Sequence, residues 1–409
     1  MKKLSLILII GMVVILLRGL SLASMCQWYD LICTESHNQE YPAVSEEKVV
    51  WVDYRNYGYS GSDIYMVAGG AESRPICSEV GDQWFPAISG DKIVWQDMRH
   101  GENGWDIYMY DLGTGQETPI CTEDWDQVNP AISGDRIVWE DYRDSTISRG
   151  ISRIYMYDLA TGREAPVHPV SDGQTGPDIS GNRIVWMDFR NSNYDIYMYD
   201  LATGQETPIC TDSQFQEVPK ISGDKIVWED NRNGDWDIYM YDITTGKESP
   251  ICALRGSPQE HPAISGDWIS WQDNRNGNWD IYLYQISNME EIPSYANLAG
   301  QISPAVYSSA PSELNLVWVD YQNGNADIYK CGYECSGVQI YGENSEQVAL
   351  LRKFRDKVLR TTPEGQEIIK LYYQWSPTVV KAMEEDEDFK AQVKEMIDGV
   401  LMLIEEEAE

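Results

Sequence analysis

The sequence predicts an all-β protein: a seven-bladed β-propeller of four-stranded antiparallel blades, closed by the N-terminal strand and followed by a small α-helical C-terminal region. Three observations lead there. A Trp-x-Asp step recurs at Trp51, Trp95, Trp139, Trp186, Trp228, Trp271 and Trp318, at intervals of 42 to 47 residues. Each unit holds four short strand-like runs separated by turn residues, and no helical period interrupts them between Trp51 and Tyr329. The last unit lacks a fourth run, which the N-terminal segment is placed to supply. Four antiparallel strands per repeat of this length is the pattern of a propeller blade.

Composition narrows the function classes. The 409 residues carry a formal net charge of −35, from 31 basic and 66 acidic side chains. Aromatics are plentiful but uneven, with 26 Tyr and 15 Trp against 5 Phe. Disordered chains lack aromatics, and nucleic-acid binders need basic surface against phosphate, so neither class fits. Charge of this size keeps a protein dispersed and repels anionic partners.

The N-terminal element, residues 1–23, reads as a secretory signal. Lys2 and Lys3 precede an apolar stretch, Leu4 to Leu17, and Ser21-Leu22-Ala23 offers small residues where a signal peptidase reads. A membrane-spanning helix needs about 20 apolar residues, and this stretch is shorter. Met25, where a small residue should precede a lipidated cysteine, argues against Cys26 as a lipoprotein site. The mature chain is expected to begin near Ser24, to work outside the cytoplasm as a secreted or cell-surface protein, and to have no membrane span.

Residues 24–335 form the expected propeller. In the third unit the run from Pro130 to Asp141 reads Pro-Ala-Ile-Ser-Gly-Asp-Arg-Ile-Val-Trp-Glu-Asp, with close copies from Pro86, Pro177, Pro219 and Pro262 and looser ones from Pro42 and Pro304. Ser-Gly-Asp separates the first two strands, and a variable Asp/Asn/Arg/Gly-rich loop separates the second from the third. Thr-Gly, as at Thr114-Gly115 and Thr245-Gly246, makes the last hairpin, glycine being free to take positive φ. Runs such as Ile226-Val227-Trp228 are apolar on consecutive residues, so both faces of the strand are buried, as in a sheet sandwiched between two others. Leu31-Ile32-Cys33-Thr34-Glu35 stands before Pro42 as Pro119-Ile120-Cys121-Thr122-Glu123 stands before Pro130. The N-terminal segment is therefore expected as the outer strand of the seventh blade, which removes two open sheet edges.

Residues 336–409 change character and read as helices. Ser345 caps a run through Arg360, Thr362-Pro363 and Ser376-Pro377 look like N-caps followed by proline, and Phe389 to Ile404 is amphipathic.

The repeated Ile-Ser-Gly-Asp-x-Ile-Val-Trp-x-Asp-x-Arg-Asn-Gly-x-x-Asp-Ile-Tyr-x-Tyr-Asp-Leu-x-Thr-Gly resembles the TolB-type, WD40-like propeller repeat of prokaryotic exported and cell-surface proteins. The resemblance implies the fold and an extracytoplasmic address, and little about activity. No α/β domain precedes the propeller as it does in TolB. Tyr341-Gly342, Leu351 to Asp356, Gly365, Leu371-Tyr372-Tyr373 and Ser376-Pro377 resemble the C-terminal domain named for a Cys-Phe-Ile box. Cys335 remains of that box, with Ser336-Gly337 in place of Phe-Ile. That resemblance implies surface sorting or processing; a helical cap on the propeller and a partner-binding module are the alternatives.

Candidate sites follow from the repeat. Acidic pairs flank each loop between second and third strands: Asp53/Asp63, Asp97/Asp106, Asp188/Asp195, Asp230/Asp237, Asp273/Asp280 and Asp320/Asp327, usually with an arginine two residues after the first. Asp230, Asn233, Asp235 and Asp237 together offer the oxygens a calcium ion takes. The competing reading pairs each arginine with its aspartates to fix the hairpin. Arg153 favours that reading, since it replaces the second aspartate of the third unit and a metal loop would not accept a cation there. No cofactor is expected, calcium being the one candidate.

Cys33, Cys77, Cys121, Cys210 and Cys252 share one outer-strand position in different blades and read as small buried apolar residues. Cys26, Cys331 and Cys335 fall outside the pattern and are the disulfide candidates of an exported chain. Pairing Tyr108 with Cys121 in the second blade, and carrying that register to the closing blade, sets Tyr329 opposite Cys33, Cys331 opposite Leu31 and Cys26 beside Cys335. His37, His100, His168 and His261 show no metal spacing and read as solvated loop or strand positions.

Loops between second and third strands emerge on the same face as those between blades, around the channel. They carry Trp84, Trp105, Trp125, Trp236 and Trp279 among acidic residues, the ligand-binding candidates, because aromatic platforms beside carboxylates suit sugars or cationic groups. Packing of the hairpins is the alternative use of the same rings. The expected function is an exported, non-enzymatic binding or surface-structural module with a protein or glycan ligand on this face. The alternative is an extracytoplasmic propeller enzyme, a polysaccharide lyase or hydrolase, which would need residues that break the repeat and converge on the channel.

Overall fold

The computed structural model describes residues 29–33, 35–69, 71–101, 104–143, 152–168, 173–287, 289–295, 299–309, 313–334, 347 and 387–408. Seven four-stranded antiparallel sheets form the ring of a β-propeller, as the repeat predicts. Blades 1 to 6 span residues 39–77, 83–121, 127–166, 174–210, 216–252 and 259–295, each with its strands side by side in chain order. The seventh takes three strands from 301–334, and its outer strand is Tyr29–Cys33 from the start of the chain. Each inner strand neighbours the next around the whole circle, including the seventh against the first.

The tryptophan step shows why the ring holds. Trp51, Trp95, Trp139, Trp186, Trp228, Trp271 and Trp318 are fully buried, and each lies in the hydrophobic cluster between its own blade and the preceding one. The Val just before it, as Val138 before Trp139, projects to the opposite face, into the next cluster, while the Ile two before it shares the Trp cluster. Seven interfaces thus use both faces of every second strand, which explains the consecutive apolar run. Each Trp also stacks on the Tyr paired with it, as Trp228 does on Tyr239 with ring centroids 6.2 Å apart.

The innermost strands carry a repeated irregularity. In each, two residues stand opposite one across the pairing, and the first of the two lies just before the repeat proline. These residues, Tyr41, Phe85, Asn129, Gly176, Val218, His261 and Ser303, all take φ between 50° and 58°. Left-handed backbone costs a non-glycine residue about 1–2 kcal/mol. Its recurrence in all seven blades makes it part of the architecture: the bulge bends the inner strand where the ring narrows to a channel.

Two sequence expectations are corrected. Tyr108 pairs with Pro119 rather than Cys121, because a bulge sets Cys121 opposite Ile107. The closing strand follows the same rule, with Cys33 opposite Ile328, Leu31 opposite Tyr329 and Tyr29 opposite Cys331. The expected bond between Cys26 and Cys335 left Cys331 unpaired, yet Cys331 is disulfide-bonded, to a partner outside the described residues. The bulge displaces the register by about two residues, which undoes the geometry behind that expectation. Among the described residues of the tail one helix is present, Glu387–Ala408, so the amphipathic segment expected over 389–404 is longer at both ends. The signal segment, the earlier tail helices and the Cys-Phe-Ile-box resemblance lie outside the described residues. No helix among the described residues is long and apolar enough to cross a membrane.

Candidate functional site

The acidic pairs resolve into two separate devices. Trp and the first Asp stand two apart, hence on one face of the strand, and the indole N–H donates to the carboxylate: Trp139 to Asp141 at 2.7 Å, Trp228 to Asp230 at 2.9 Å. The arginine two residues on donates its Nη2 to the same carboxylate and, at Arg55, Arg143, Arg190 and Arg232, its Nε as well; Arg232 does so to Asp230 at 2.5 and 2.8 Å. It bridges outward to Glu248 at 2.6 Å, lies 4.2 Å over the Tyr239 ring and reaches Cys210 of the preceding blade at 3.1 Å. The second aspartate takes no part. Asp237 accepts from Asn233 at 2.7 Å, Asp195 from Asn191 and Asp280 from Asn276, while His100 meets Asp106 at 2.6 Å. The arginine thus pairs with the first aspartate alone, not with both as expected.

This accounting also bears on calcium. Asp230 is occupied by Trp228 and Arg232, Asp237 by Asn233, and Asp235 accepts the Gly256 N–H at 2.7 Å. Asn233 turns its amide nitrogen, not its oxygen, toward the would-be site. Among the described residues no three His, Cys, Asp or Glu side chains gather as a metal site. The five repeat cysteines are buried free thiols, and burial pushes Cys121 and Cys210 up to about 12, so they remain protonated.

Trp105, Trp236 and Trp279 occupy one repeat position, just before the second aspartate, and their carbonyls accept the first inner-strand N–H of the next blade. All three rings are half-buried, whereas Trp125 is exposed and holds φ of 76°. Trp84 lies at the loop-face end of an inner strand and stacks on Trp105, with centroids 5.2 Å apart at 28°. Phe85 meets Trp84 edge-on, and Tyr41 of blade 1 lies 4.7 Å from Phe85. The fold therefore joins Trp84 and Trp105 into an aromatic patch with Tyr41 and Phe85. It brings Trp125, Trp236 and Trp279 into no ring contact among the described residues.

A second group at the channel went unnoticed in the sequence. The residue between Trp and Asp in the Trp-x-Asp step reaches across to the next blade and accepts the N–H of its bulge residue. Gln96 takes Asn129, Glu140 takes Gly176, Glu229 takes His261 and Gln272 takes Ser303, at 2.6–3.2 Å. Glu140 is further held by Asn129, Tyr142 and Thr175. Among the described residues Glu229 accepts the His261 N–H alone, at 2.6 Å. Burial first, then Glu260 and Glu217, pushes the Glu229 carboxyl up to about 8. Burial also raises Glu217 and Glu260.

One step down the same inner strands, Asp178 and Lys220 replace the alanine found at Ala43, Ala87, Ala131, Ala263 and Ala305. Burial raises Asp178, Lys220 opposes that, and its carboxylate accepts the Ile221 N–H at 2.8 Å. The His261 ring is open to the channel, yet the surrounding protein lowers its pKa, with Lys220 adding to the effect. The signal that would have found Asp178 and Lys220 was their departure from the alanine that recurs at this inner-strand position in the other five blades.

No family model and no curated protein matches the chain. Solved structures do match. The β-propeller domain of the Trilobed protease from Pyrococcus furiosus is 12% identical, with 73% of this chain and 94% of that one covered at a TM-score of 0.56. That domain has an open velcro topology, whereas the present ring is closed by its N-terminal strand. One of two prolyl endopeptidases is 11% identical over 72% of this chain and 46% of its own, at 0.57. TolB from Acinetobacter baumannii is 18% identical, covering 63% of this chain and 66% of that one, at 0.46. The chain thus spans under two thirds of these last two proteins. At such identities the likeness defines the class, a seven-bladed β-propeller with TolB and peptidase propellers among its structural neighbours, and nothing finer.

Proposed function

We propose that the chain is an exported binding propeller that recognises a protein or glycan ligand on the face carrying the long loops. One observation carries this reading: departures from the repeat concentrate at that face. The opposite turns, Ser-Gly-Asp and Thr-Gly, are short and nearly uniform from blade to blade. Uniform turns suit scaffolding, while variable loops around a channel provide recognition. The Trp84–Trp105 stack beside Phe85 and Tyr41 supplies an aromatic platform, and the net charge of −35 favours neutral or cationic ligands over anionic ones. The lysine-led apolar N-terminus supports export.

Glycan and peptide arrays on the mature chain provide the test, followed by paired binding and melting assays. Trp125→Ala and Trp236→Ala are expected to weaken the ligand found while leaving the melting temperature nearly unchanged. Trp139→Ala and Trp228→Ala, which empty the core between blades, are expected to cost about 3–5 kcal/mol of stability. If the loop variants lose stability as the core variants do, those rings are packing residues and the binding face is wrongly assigned.

A further inference from the structure

Cys331 breaks the repeat at the seam where the two ends of the chain meet. In five blades the fifth residue of the third strand is a tyrosine: Tyr110, Tyr157, Tyr199, Tyr241 and Tyr284. Blade 7, which takes its strands from both ends of the chain, has Cys331 there, buried in the cluster between blades 6 and 7. Cys331 is disulfide-bonded. The sequence holds eight cysteines. Cys33, Cys77, Cys121, Cys210 and Cys252 are free thiols, so the partner of Cys331 within the chain is Cys26 or Cys335.

Strand geometry separates the two. Asp327–Glu334 pairs with Glu313–Asp320 residue for residue, without a bulge. Extended backbone rises about 3.3 Å per residue, which sets Glu334 about 10 Å beyond Cys331. A chain cannot double back on itself within one residue, so the Cα atom of Cys335 also stays about 10 Å or more from that of Cys331. A disulfide tolerates no more than about 7 Å. Cys26 meets that limit. Tyr29 lies opposite Cys331 in the pairing of the closing strand, which sets their Cα atoms about 5 Å apart. The chain from Tyr29 back to Cys26 reaches up to about 10 Å, so a turn over Gln27 and Trp28 is enough to bring Cys26 beside Cys331.

We propose that Cys26 and Cys331 form a disulfide that fastens the closing strand to the seventh blade, and that Cys335 keeps its thiol. The two thiols give up two protons and two electrons to a disulfide oxidant of the exporting compartment, which is reduced to a dithiol as the one S–S bond forms. The loop so closed runs through all seven blades. The bond also bears on anchoring: a sulfur engaged in a disulfide cannot carry a thioether-linked lipid, so Cys26 is not a lipid-attachment site. The proposal rests on the export reading, because such bonds form and persist in oxidising compartments.

Peptide mapping tests this on the full chain from Ser24, secreted through a borrowed signal and alkylated in urea without reductant. The expected map has alkyl groups on Cys335 and the five repeat cysteines, and one peptide joining Cys26 to Cys331 that reduction separates. Cys335→Ser should leave that peptide and the melting temperature unchanged. Cys26→Ser should melt where the reduced wild type melts and should lose its response to dithiothreitol. A bond from Cys335 to either cysteine, a bond through Cys331 to a second chain, or an alkylated or lipid-bearing Cys26 would each overturn the proposal. The wild-type map decides the matter whether or not Cys26→Ser folds. Fractionation of cells making the chain with its own N-terminus tests export separately, so a wrong pairing and a failed export reading are told apart.

Discussion

Glu140 and Glu229 stand at the same position of the repeat and meet different fates, because the residues that face them differ. Thr175 and Asn129 complete Glu140, whereas His261 brings Glu229 only a backbone N–H. The consequence for stability has a definite sign. Folded Glu229 holds its proton up to about pH 8, while in the unfolded chain it ionises near its ordinary value of 4.5. Between those values the folded state binds the extra proton, so this group's contribution is complete at low pH and is lost as pH rises through 8. The difference corresponds to a few kcal/mol as an order of magnitude. Glu229→Gln, neutral at every pH, should match the wild type near pH 5 and exceed it at pH 9. Urea denaturation at the two pH values measures this; equal loss of stability in both proteins at pH 9 would show that Glu229 is not the group responsible.

At the scale of the blade, the arginine hairpin joins three strands. Arg232 fastens the second strand at Asp230, the fourth at Glu248 and the preceding blade at Cys210. Asp230 is completely buried, so Arg232→Ala would leave a carboxylate uncompensated in the interior, at a cost of about 3–5 kcal/mol. Lysine cannot reproduce the fork, so Arg232→Lys should recover little of the loss. Equilibrium unfolding of the two variants checks both points, and a lysine variant as stable as wild type would mean that charge alone suffices. The seventh blade shows that the device is dispensable once: Gln322 stands where the arginine would be, and Gln301 donates to Asp320 at 3.0 Å instead. Much of this was legible in the sequence, because Trp, Asp and Arg keep fixed short spacings along one strand. The partition between the two aspartates was not, since it depends on which side of the loop the asparagine returns to.

For the whole molecule, closure is the decisive feature. The strand Tyr29–Cys33 pairs with Asp327–Glu334 and covers the last open edge, and it brings Cys33 and Glu35 to Arg55 of blade 1. Deleting residues 24–36 should expose the outer edge of the seventh blade, lower the melting temperature and promote self-association. Differential scanning calorimetry with light scattering gives the readout; an unchanged melt in a monomeric product would show that the ring does not depend on its N-terminal strand.

The sequence alone determined the number of blades, the order of strands, the source of the closing strand and the buried tryptophan at each interface. All of these follow from local spacing repeated seven times, and a repeat reports its own geometry many times over. The tertiary structure alone decided the register of the outer strands and the membership of the channel cluster. In six of the blades a bulge shifts the outer-strand register by one residue, and a local shift of pairing is not written in the residue types of the strand. Glu229 and the His261 N–H, 32 residues apart in the chain, are brought together by the curvature of the ring, which sets the surfaces of two blades face to face. Spacing along a strand is a property of the chain, whereas contact between blades is a property of the closed circle.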